Sequence, residues 1–104
     1  MAIMEKIIAG DNPVQIYAVI AKEERRENAL QQIQGLRERG YRVDYPLVPA
    51  KIPKQFQTAE QLGARFAIVF GDEWPQVAVK NLTSGEQQLV PSEKLASHLE
   101  STLR

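Results

Sequence analysis

The sequence predicts an α/β fold in which a mixed five-stranded sheet is flanked by three helices. Residues 14–20 and 66–70 are short apolar runs rich in β-branched and aromatic residues, which is typical of strands buried on both faces. Between these runs, apolar residues recur at spacings of three and four, which indicates amphipathic helices. Near the C-terminus, Thr83-Ser84-Gly85 separates two extended runs and predicts a hairpin.

The first half of the chain alternates strands and helices. After the strand at residues 14–20, a helix is predicted over residues 23–39, and Gly40 is expected to end it. The apolar stripe of this helix consists of Ala29, Leu30, Ile33 and Leu36. Bulky and charged residues then alternate over residues 41–45 before Pro46, which predicts a short strand near the sheet edge. Strands that alternate with helices imply parallel crossovers.

The second helix is predicted to start near Pro53, because proline is favoured in a first helical turn, and to end at Gly63. Its apolar stripe consists of Phe56, Ala59 and Leu62. The run at residues 66–70 is apolar throughout, so we expect it to be the central strand.

The hairpin strands are predicted at residues 77–80 and 86–90 and should be antiparallel. A last amphipathic helix follows, with Ser92 as a candidate N-cap. Its apolar stripe consists of Leu95, Leu99 and Leu103. The second half of the chain therefore adds an antiparallel part to the sheet.

Length and composition fit one domain. The chain has 104 residues, of which 43% are hydrophobic and 25% charged, as is ordinary for globular proteins. Without cysteine, disulfides, thiolate zinc sites and cysteine nucleophiles are excluded. The first ten residues lack a signal-peptide pattern, and no apolar run reaches the ~20 residues of a membrane helix. We expect a cytoplasmic protein without a membrane partner, with a linker or N-terminal extension at residues 1–12 and the domain at residues 13–104.

Thirteen basic and thirteen acidic residues cancel, which disfavours indiscriminate binding to nucleic acid. The middle of the chain is nevertheless basic, with six basic and three acidic residues between positions 37 and 65. Lys51 and Lys54 flank the start of the second helix, whose N-terminal amides favour anions, and Gln55 adds a side-chain amide. This segment fits a phosphate grip, and it equally fits lysines that only solvate a loop-helix junction.

The residues that catalysis needs do not form a recognisable set. The single histidine, His98, lies in the last amphipathic helix, so no triad can be assembled around it and a surface or core-edge role is expected. The adjacent carboxylates Glu23-Glu24 and Asp72-Glu73 point in different directions, and the acidic residues lack calcium-loop spacing. The glycines are isolated, which excludes a P-loop or a dinucleotide fingerprint. We therefore predict no catalytic residue, no metal site and no cofactor.

Four blocks of sequence carry a family resemblance. They are Lys54-Gln55-Phe56, then Ala59 with the segment from Leu62 to Gly71 and its Gly63-Ala64-Arg65 step, Val77-Ala78-Val79-Lys80-Asn81-Leu82, and Ser84-Gly85-Glu86-Gln87. In this order they resemble the C-terminal anticodon-binding domain of histidyl-tRNA synthetases, over about nine tenths of the chain from Val14 onward. The family fold, a mixed five-stranded sheet with three helices, agrees with the element order predicted from periodicity.

The resemblance implies that residues 13–104 are an anticodon-binding domain that recognises the anticodon stem-loop of histidine tRNA. Adenylate formation and aminoacyl transfer would belong to a separate catalytic domain of a longer parent synthetase, which is the second expected partner. The expected RNA-binding residues are Lys51, Lys54, Gln55, Arg65, Lys80 and Glu86. For Arg65 and Glu86, an ion pair or the closing of a turn is an equal alternative.

Single-stranded RNA loops are bound by stacking bases on planar side chains, hydrogen-bonding their edges and holding the backbone with cations. In this scheme the three lysines hold phosphates, Gln55 and Glu86 read base edges, and Trp74 or Tyr45 offers a stacking face. The tryptophan has an alternative role in packing over the hairpin. The clearest departure from the family is the short, proline-containing turn at residues 72–76, where the family commonly has a longer acidic turn with glycine.

Two other functions remain open. The first is a free-standing paralogue that acts as a regulatory or protein-interaction subunit without RNA binding, which neutral net charge and the shortened turn favour. The second is a small α/β enzyme or ligand-binding domain with a site at the carboxyl ends of the parallel strands. That site would include residues 21–24, 46–51 and 71–74, which offer no clear acid-base or nucleophile set.

Overall fold

The computed structural model describes residues 14–103, so the linker expected at residues 1–12 lies outside the described residues. The five strands and three helices occur in the predicted order. The strands are Ile16–Ile20 (β1), Val43–Asp44 (β2), Phe66–Phe70 (β3), Gln76–Asn81 (β4) and Gln87–Pro91 (β5). The helices are Arg26–Glu38 (α1), Ile52–Gln61 (α2) and Leu95–Leu103 (α3), with 3-10 turns at Glu23–Arg25 and Ser92–Lys94.

The five strands form one mixed sheet in the order β2-β1-β3-β4-β5. Strand β1 is parallel to both β2 and β3, whereas β4 is antiparallel to β3 and β5. The prediction of a central β3, a short strand at the edge and an antiparallel hairpin is therefore confirmed. Parallel crossovers of this kind place their helices on the faces of the sheet.

Helices cover the sheet from both sides. On one side, α1 and α3 pack on a large cluster of alternate strand residues that includes Ile16, Ile68 and Val79. On the other side, α2 packs through Ala59 on a smaller cluster that contains Tyr17 and its neighbours. Because side chains alternate along each strand, odd and even positions pack against helices on opposite sides of the sheet. Strand β1 is therefore buried over its whole length.

Two glycines end the first two helices as predicted. Gly40, with a φ of 98°, donates its N–H to the Arg37 carbonyl, and Tyr41 donates to the Leu36 carbonyl, 3.1 Å away. After α2, Gly63 has a φ of 77° and the same pair of hydrogen bonds closes the helix end. Left-handed backbone at these two positions favours glycine, because in this conformation a Cβ atom comes too close to the carbonyl oxygen that follows it in the chain.

Two expectations about element ends are wrong. Strand β2 covers Val43–Asp44 and not residues 41–45, because Tyr41 closes the α1 terminus and Pro46 has no N–H to pair. Ser92 does not cap α3 with its side chain. Instead it begins a 3-10 turn in which its backbone N–H donates to the Pro75 carbonyl, 2.9 Å away, and the α-helix starts three residues later.

Candidate functional site

The first turn of α2 carries two exposed lysines. Lys51 is the residue before the helix, in extended conformation, and Lys54 follows Pro53 in the first turn. This turn contains no acidic residue, and its N-cap residue makes no side-chain hydrogen bond. The partial positive charge of a helix N-terminus therefore adds to two ammonium groups, which makes this end of α2 attractive to anions.

Gln55 is not available at this surface, contrary to the role expected for it. Its side chain is 1% exposed, and its Oε1 atom accepts a hydrogen bond of 2.7 Å from the Ile20 N–H. Its Nε2 atom donates to the carbonyls of Ile20 and Ala50 at 2.8 and 2.7 Å. Both amide protons are thus committed to backbone oxygens, so Gln55 cannot read a base edge in this arrangement.

Lys80 lies against the flank of α2. It is half-buried on β4, and its Nζ atom is 5.1 Å from the centre of the Phe56 ring, a cation–π distance. In the sheet it stands between Ala67 on β3 and Gln87 on β5. Lys80 and the helix that carries Lys54 therefore belong to one side of the sheet.

Beside α2, the same side of the sheet has an open half over β4 and β5. Leu89 is 51% exposed there and pairs with Ala78, while the exposed Gln87 pairs with Lys80. Cross-strand partners share a face, so these four side chains lie on one face next to α2, which we call the open sheet face. Ala78 is buried on it, and the other three side chains are partly or fully exposed. Sequence analysis missed Gln87 and Leu89, although the register of the predicted hairpin could have placed both beside Lys80.

Arg65 and Glu86 lie at the opposite end of the sheet from the α2 N-terminus. The Arg65 carbonyl accepts from the Leu82 N–H and the Glu86 carbonyl from the Asn81 N–H, so the backbone of both residues closes the ends of strands. Both side chains are exposed, and no ion pair joins either to another residue of the described chain. Of the alternatives raised for them, the turn-closing role has structural support through their backbones.

Glu86 also faces the wrong side for a joint site with Lys80. Glu86 lines a hollow together with Phe66, Val79, Gln87 and His98. Phe66 and Val79 belong to the cluster under α1 and α3, whereas Lys80 contacts α2. The hollow that Glu86 lines therefore extends over the α1 and α3 side of the sheet, whereas Lys80 contacts α2.

The two candidate stacking residues are partly buried on the α1 and α3 side. Trp74 packs against the large cluster with its ring centre 6.1 Å from that of Phe70. Tyr45 packs on the same cluster, and the Arg37 guanidinium lies 5.6 Å from its ring centre. Their packing agrees with the alternative of a structural role, and neither ring adjoins the lysines of α2.

At the carboxyl ends of the parallel strands, Lys22 and Arg26 form ion pairs. The Lys22 ammonium is 2.8 Å from the Asp72 carboxylate, and the hydrogen bond to this partner raises the pKa of Lys22. Arg26 pairs with Glu23 at 2.7 Å and also donates to the Pro46 carbonyl, and its hydrogen bond lowers the pKa of Glu23. These pairs join the loops to one another and leave no acid-base pair poised for chemistry.

His98 sits at the edge of the core, as expected. It is half-buried, with its Nε2 atom 3.1 Å from Nε2 of Gln88.

In the described part of the chain, no three histidine, aspartate or glutamate side chains are grouped so that they could hold a metal ion. None of the described helices is long and apolar enough to cross a membrane.

Comparison with known proteins identifies one family. The family described as "Anticodon binding domain" matches residues 13–102. A histidine–tRNA ligase from Geobacillus kaustophilus is 37% identical over 86 residues, which are 80% of this chain and 20% of the relative. The chain thus spans about a fifth of the length of such relatives.

Solved structures give the same picture at the level of the fold. A histidyl-tRNA synthetase from Nostoc superposes with a TM-score of 0.80 and 30% identity, over 88% of this chain and 23% of that one. The apo histidyl-tRNA synthetase of S. aureus gives a TM-score of 0.77 and 27% identity, over 85% and 23% of the two chains. The resemblance noted from the four sequence blocks is therefore confirmed.

Proposed function

The chain belongs to the anticodon binding domain family, and from this premise we propose that it recognises the anticodon stem-loop of histidine tRNA. Aminoacylation would then belong to a separate catalytic domain. The chain would act in protein synthesis, in the cytoplasm. The relatives named as histidine–tRNA ligases are about five times as long as the segment matched here, which leaves room for such a domain in them.

The observation that carries the proposal is the set of lysines around α2. Lys51, Lys54 and Lys80 form no ion pair with a carboxylate of the described chain, whereas Lys22, Arg26 and Arg39 each do. Unpaired ammonium groups at a helix N-terminus and along its flank suit phosphates, because phosphate contacts supply most of the affinity for nucleic acid.

In this proposal the three lysines hold the backbone of the loop while its bases lie on the open sheet face. Leu89 supplies apolar surface, and the exposed Gln87 beside Lys80 takes over the base-reading role first assigned to Gln55. Arg65 would contact the RNA at the far end of the sheet. Glu86, Trp74 and Tyr45 are not used, because they lie on the other side.

The proposal predicts a moderate salt dependence. Each phosphate contact with single-stranded nucleic acid contributes a slope of about −0.7 in log affinity against log salt concentration. Three lysine contacts therefore predict a slope of roughly −2. A neutral net charge agrees with a small number of contacts, because indiscriminate binding needs many more.

The test is a titration of the domain with two stem-loops, followed by fluorescence anisotropy at several salt concentrations. One stem-loop carries the histidine anticodon loop and the other has the same stem with a scrambled loop. Tighter binding of the first supports the proposal. Equal, salt-sensitive binding of both would reduce it to a basic surface, and no binding of either would contradict it.

A second candidate, a protein-interaction subunit without RNA binding, is favoured by one observation. The loop before α2 exposes 79% of Leu47 and 67% of Val48, between two prolines, and Ile52 nearby is 40% exposed. Adjacent exposed apolar side chains are typical of protein contacts. If neither stem-loop binds, replacement of Leu47 and Val48 by serine in an interaction assay becomes the next measurement.

A further inference from the structure

Gln55 is 1% exposed, and among the described residues it is the only buried side chain that carries an amide or a charge. Its three side-chain hydrogen bonds, to both backbone groups of Ile20 and to the Ala50 carbonyl, use both amide protons and the amide oxygen. A buried amide with complete hydrogen bonding holds its surroundings in one arrangement, since any shift leaves a polar group without a partner.

The position of Gln55 follows from the way β2 ends. Peptide groups along β1 point alternately to its two neighbours: Ile16 donates to Arg42 on the β2 side, and Ala21 donates to Phe70 on the β3 side. By this alternation the N–H and C=O of Ile20 point toward the β2 side. Strand β2 has already ended at Asp44, so the side-chain amide of Gln55 takes the place of the missing backbone amide.

The same residue fixes the start of α2. Its backbone N–H donates to the Lys51 carbonyl at 3.0 Å, while its side chain is tied to Ala50 and to the end of β1. Lys54 directly precedes it in the first helical turn. Both lysines of the α2 N-terminus are thus connected to the sheet through Gln55.

We propose that Gln55 is a positioning residue for RNA binding, which holds Lys51 and Lys54 at a fixed distance from the open sheet face without touching RNA. The inference rests on the proposed function. The positioning role explains why a glutamine stands next to a lysine. The exposed Lys54 binds the RNA, and the buried Gln55 holds Lys54 in place.

The test compares Gln55→Met with Gln57→Met in the full chain. Methionine keeps the length of the side chain and removes its hydrogen bonds, and Gln57 is an exposed glutamine on the same helix. Each variant is titrated with the histidine anticodon stem-loop over a salt series, at a temperature where circular dichroism shows it folded. If Gln55→Met does not fold, Gln55→Asn is titrated in its place, because asparagine keeps the amide on a shorter side chain.

The expected result is that Gln55→Met weakens binding at least tenfold and reduces the salt slope by about 1.4, the contribution of two phosphate contacts. In a Lys51→Ala, Lys54→Ala background it should then have no further effect on the affinity of the folded protein, whereas a general loss of structure would still lower it. Gln57→Met should bind as the wild type does.

Folded Gln55→Met, or Gln55→Asn in its place, with wild-type affinity and slope would overturn the inference while leaving the proposed function intact. Additive loss in the lysine-free background would also overturn it. If the wild-type chain binds no stem-loop, the proposed function fails and the positioning role fails with it. Amide exchange at Ile20 would then show only whether the hydrogen bonds to Gln55 protect the sheet.

Discussion

The Lys80 ammonium lies 5.1 Å from the centre of the Phe56 ring, so a sheet residue and a helix residue meet through a cation–π contact. We expect a double-mutant cycle with Lys80→Met and Phe56→Leu, followed by urea unfolding, to give a coupling of about 0.5–1 kcal/mol. Lys94→Met with Phe56→Leu is the control, since Lys94 is exposed next to α3. A coupling of zero for the first pair would mean that ring and ammonium do not interact in solution.

Lys54→Ala should weaken binding of the histidine anticodon stem-loop and make the salt slope shallower by about 0.7, because one phosphate contact is lost. The free energy of unfolding should change little, since the side chain is exposed. Anisotropy titrations over a salt series measure both affinity and slope. Lys94→Ala is the control, because it removes an exposed lysine from the α3 side. If it weakened binding as much as Lys54→Ala does, the position of the lysine would not matter for binding.

Two glycine substitutions in and after α1 should have opposite effects on stability. Neither Gly35 nor Gly40 has an atom within 4 Å of an added Cβ, so sterics with neighbours do not decide the outcome. Gly35→Ala should stabilise the fold by about 0.4–1 kcal/mol, because alanine restricts the unfolded chain and Gly35 is helical. Gly40→Ala should destabilise it by about 1–2 kcal/mol, because φ is 98° there.

Urea unfolding of the two single variants and the wild type measures both effects. Gly63→Ala serves as a second left-handed case, with a φ of 77°, and should follow Gly40→Ala. Stabilisation by Gly40→Ala would contradict the left-handed end of α1.

Ionisation of the Tyr17 hydroxyl should lower the free energy of unfolding at alkaline pH. Burial, and secondly the Asp44 carboxylate, raise the pKa of this hydroxyl above its ordinary 10.0. The unfolded chain therefore ionises first, so the stabilising contribution is complete below about pH 10 and is lost as pH rises through the folded pKa. Tyr17→Phe should show a smaller loss of unfolding free energy between pH 9 and 11, two values chosen to bracket ~10. Identical profiles for both proteins would contradict the prediction.

Much of the fold could be predicted because local patterns and tertiary packing agree here. Residues 66–70 are apolar at every position because β3 is central and covered on both faces. Gly40 and Gly63 stand where left-handed backbone ends a helix. Strand β2 was harder, because the alternation of residues 41–45 is a strand pattern, and only the hydrogen bonds of Tyr41 and the missing N–H of Pro46 restrict it to Val43–Asp44.

The candidate site was less predictable, since side-chain direction decides it. Lys54 and Gln55 are adjacent and polar, and nothing in the sequence says that one is exposed while the other is 1% exposed. Gln87 is also adjacent to Glu86, and only the strand register shows that Gln87, and not Glu86, is the cross-strand partner of Lys80. A motif names the residues of a site, whereas the fold determines which of them can meet the same ligand.

The α2 side of the sheet, which Lys80 contacts, and the hollow that Glu86 lines differ in charge. A polyanion nearing the α2 side meets unpaired ammonium groups and a helix N-terminus, while one nearing the hollow beside His98 meets a carboxylate. At physiological ionic strength these fields extend about 8 Å, so they act just before contact. Under the proposed function, this difference in charge would orient an incoming nucleic acid toward the α2 side before any base is read.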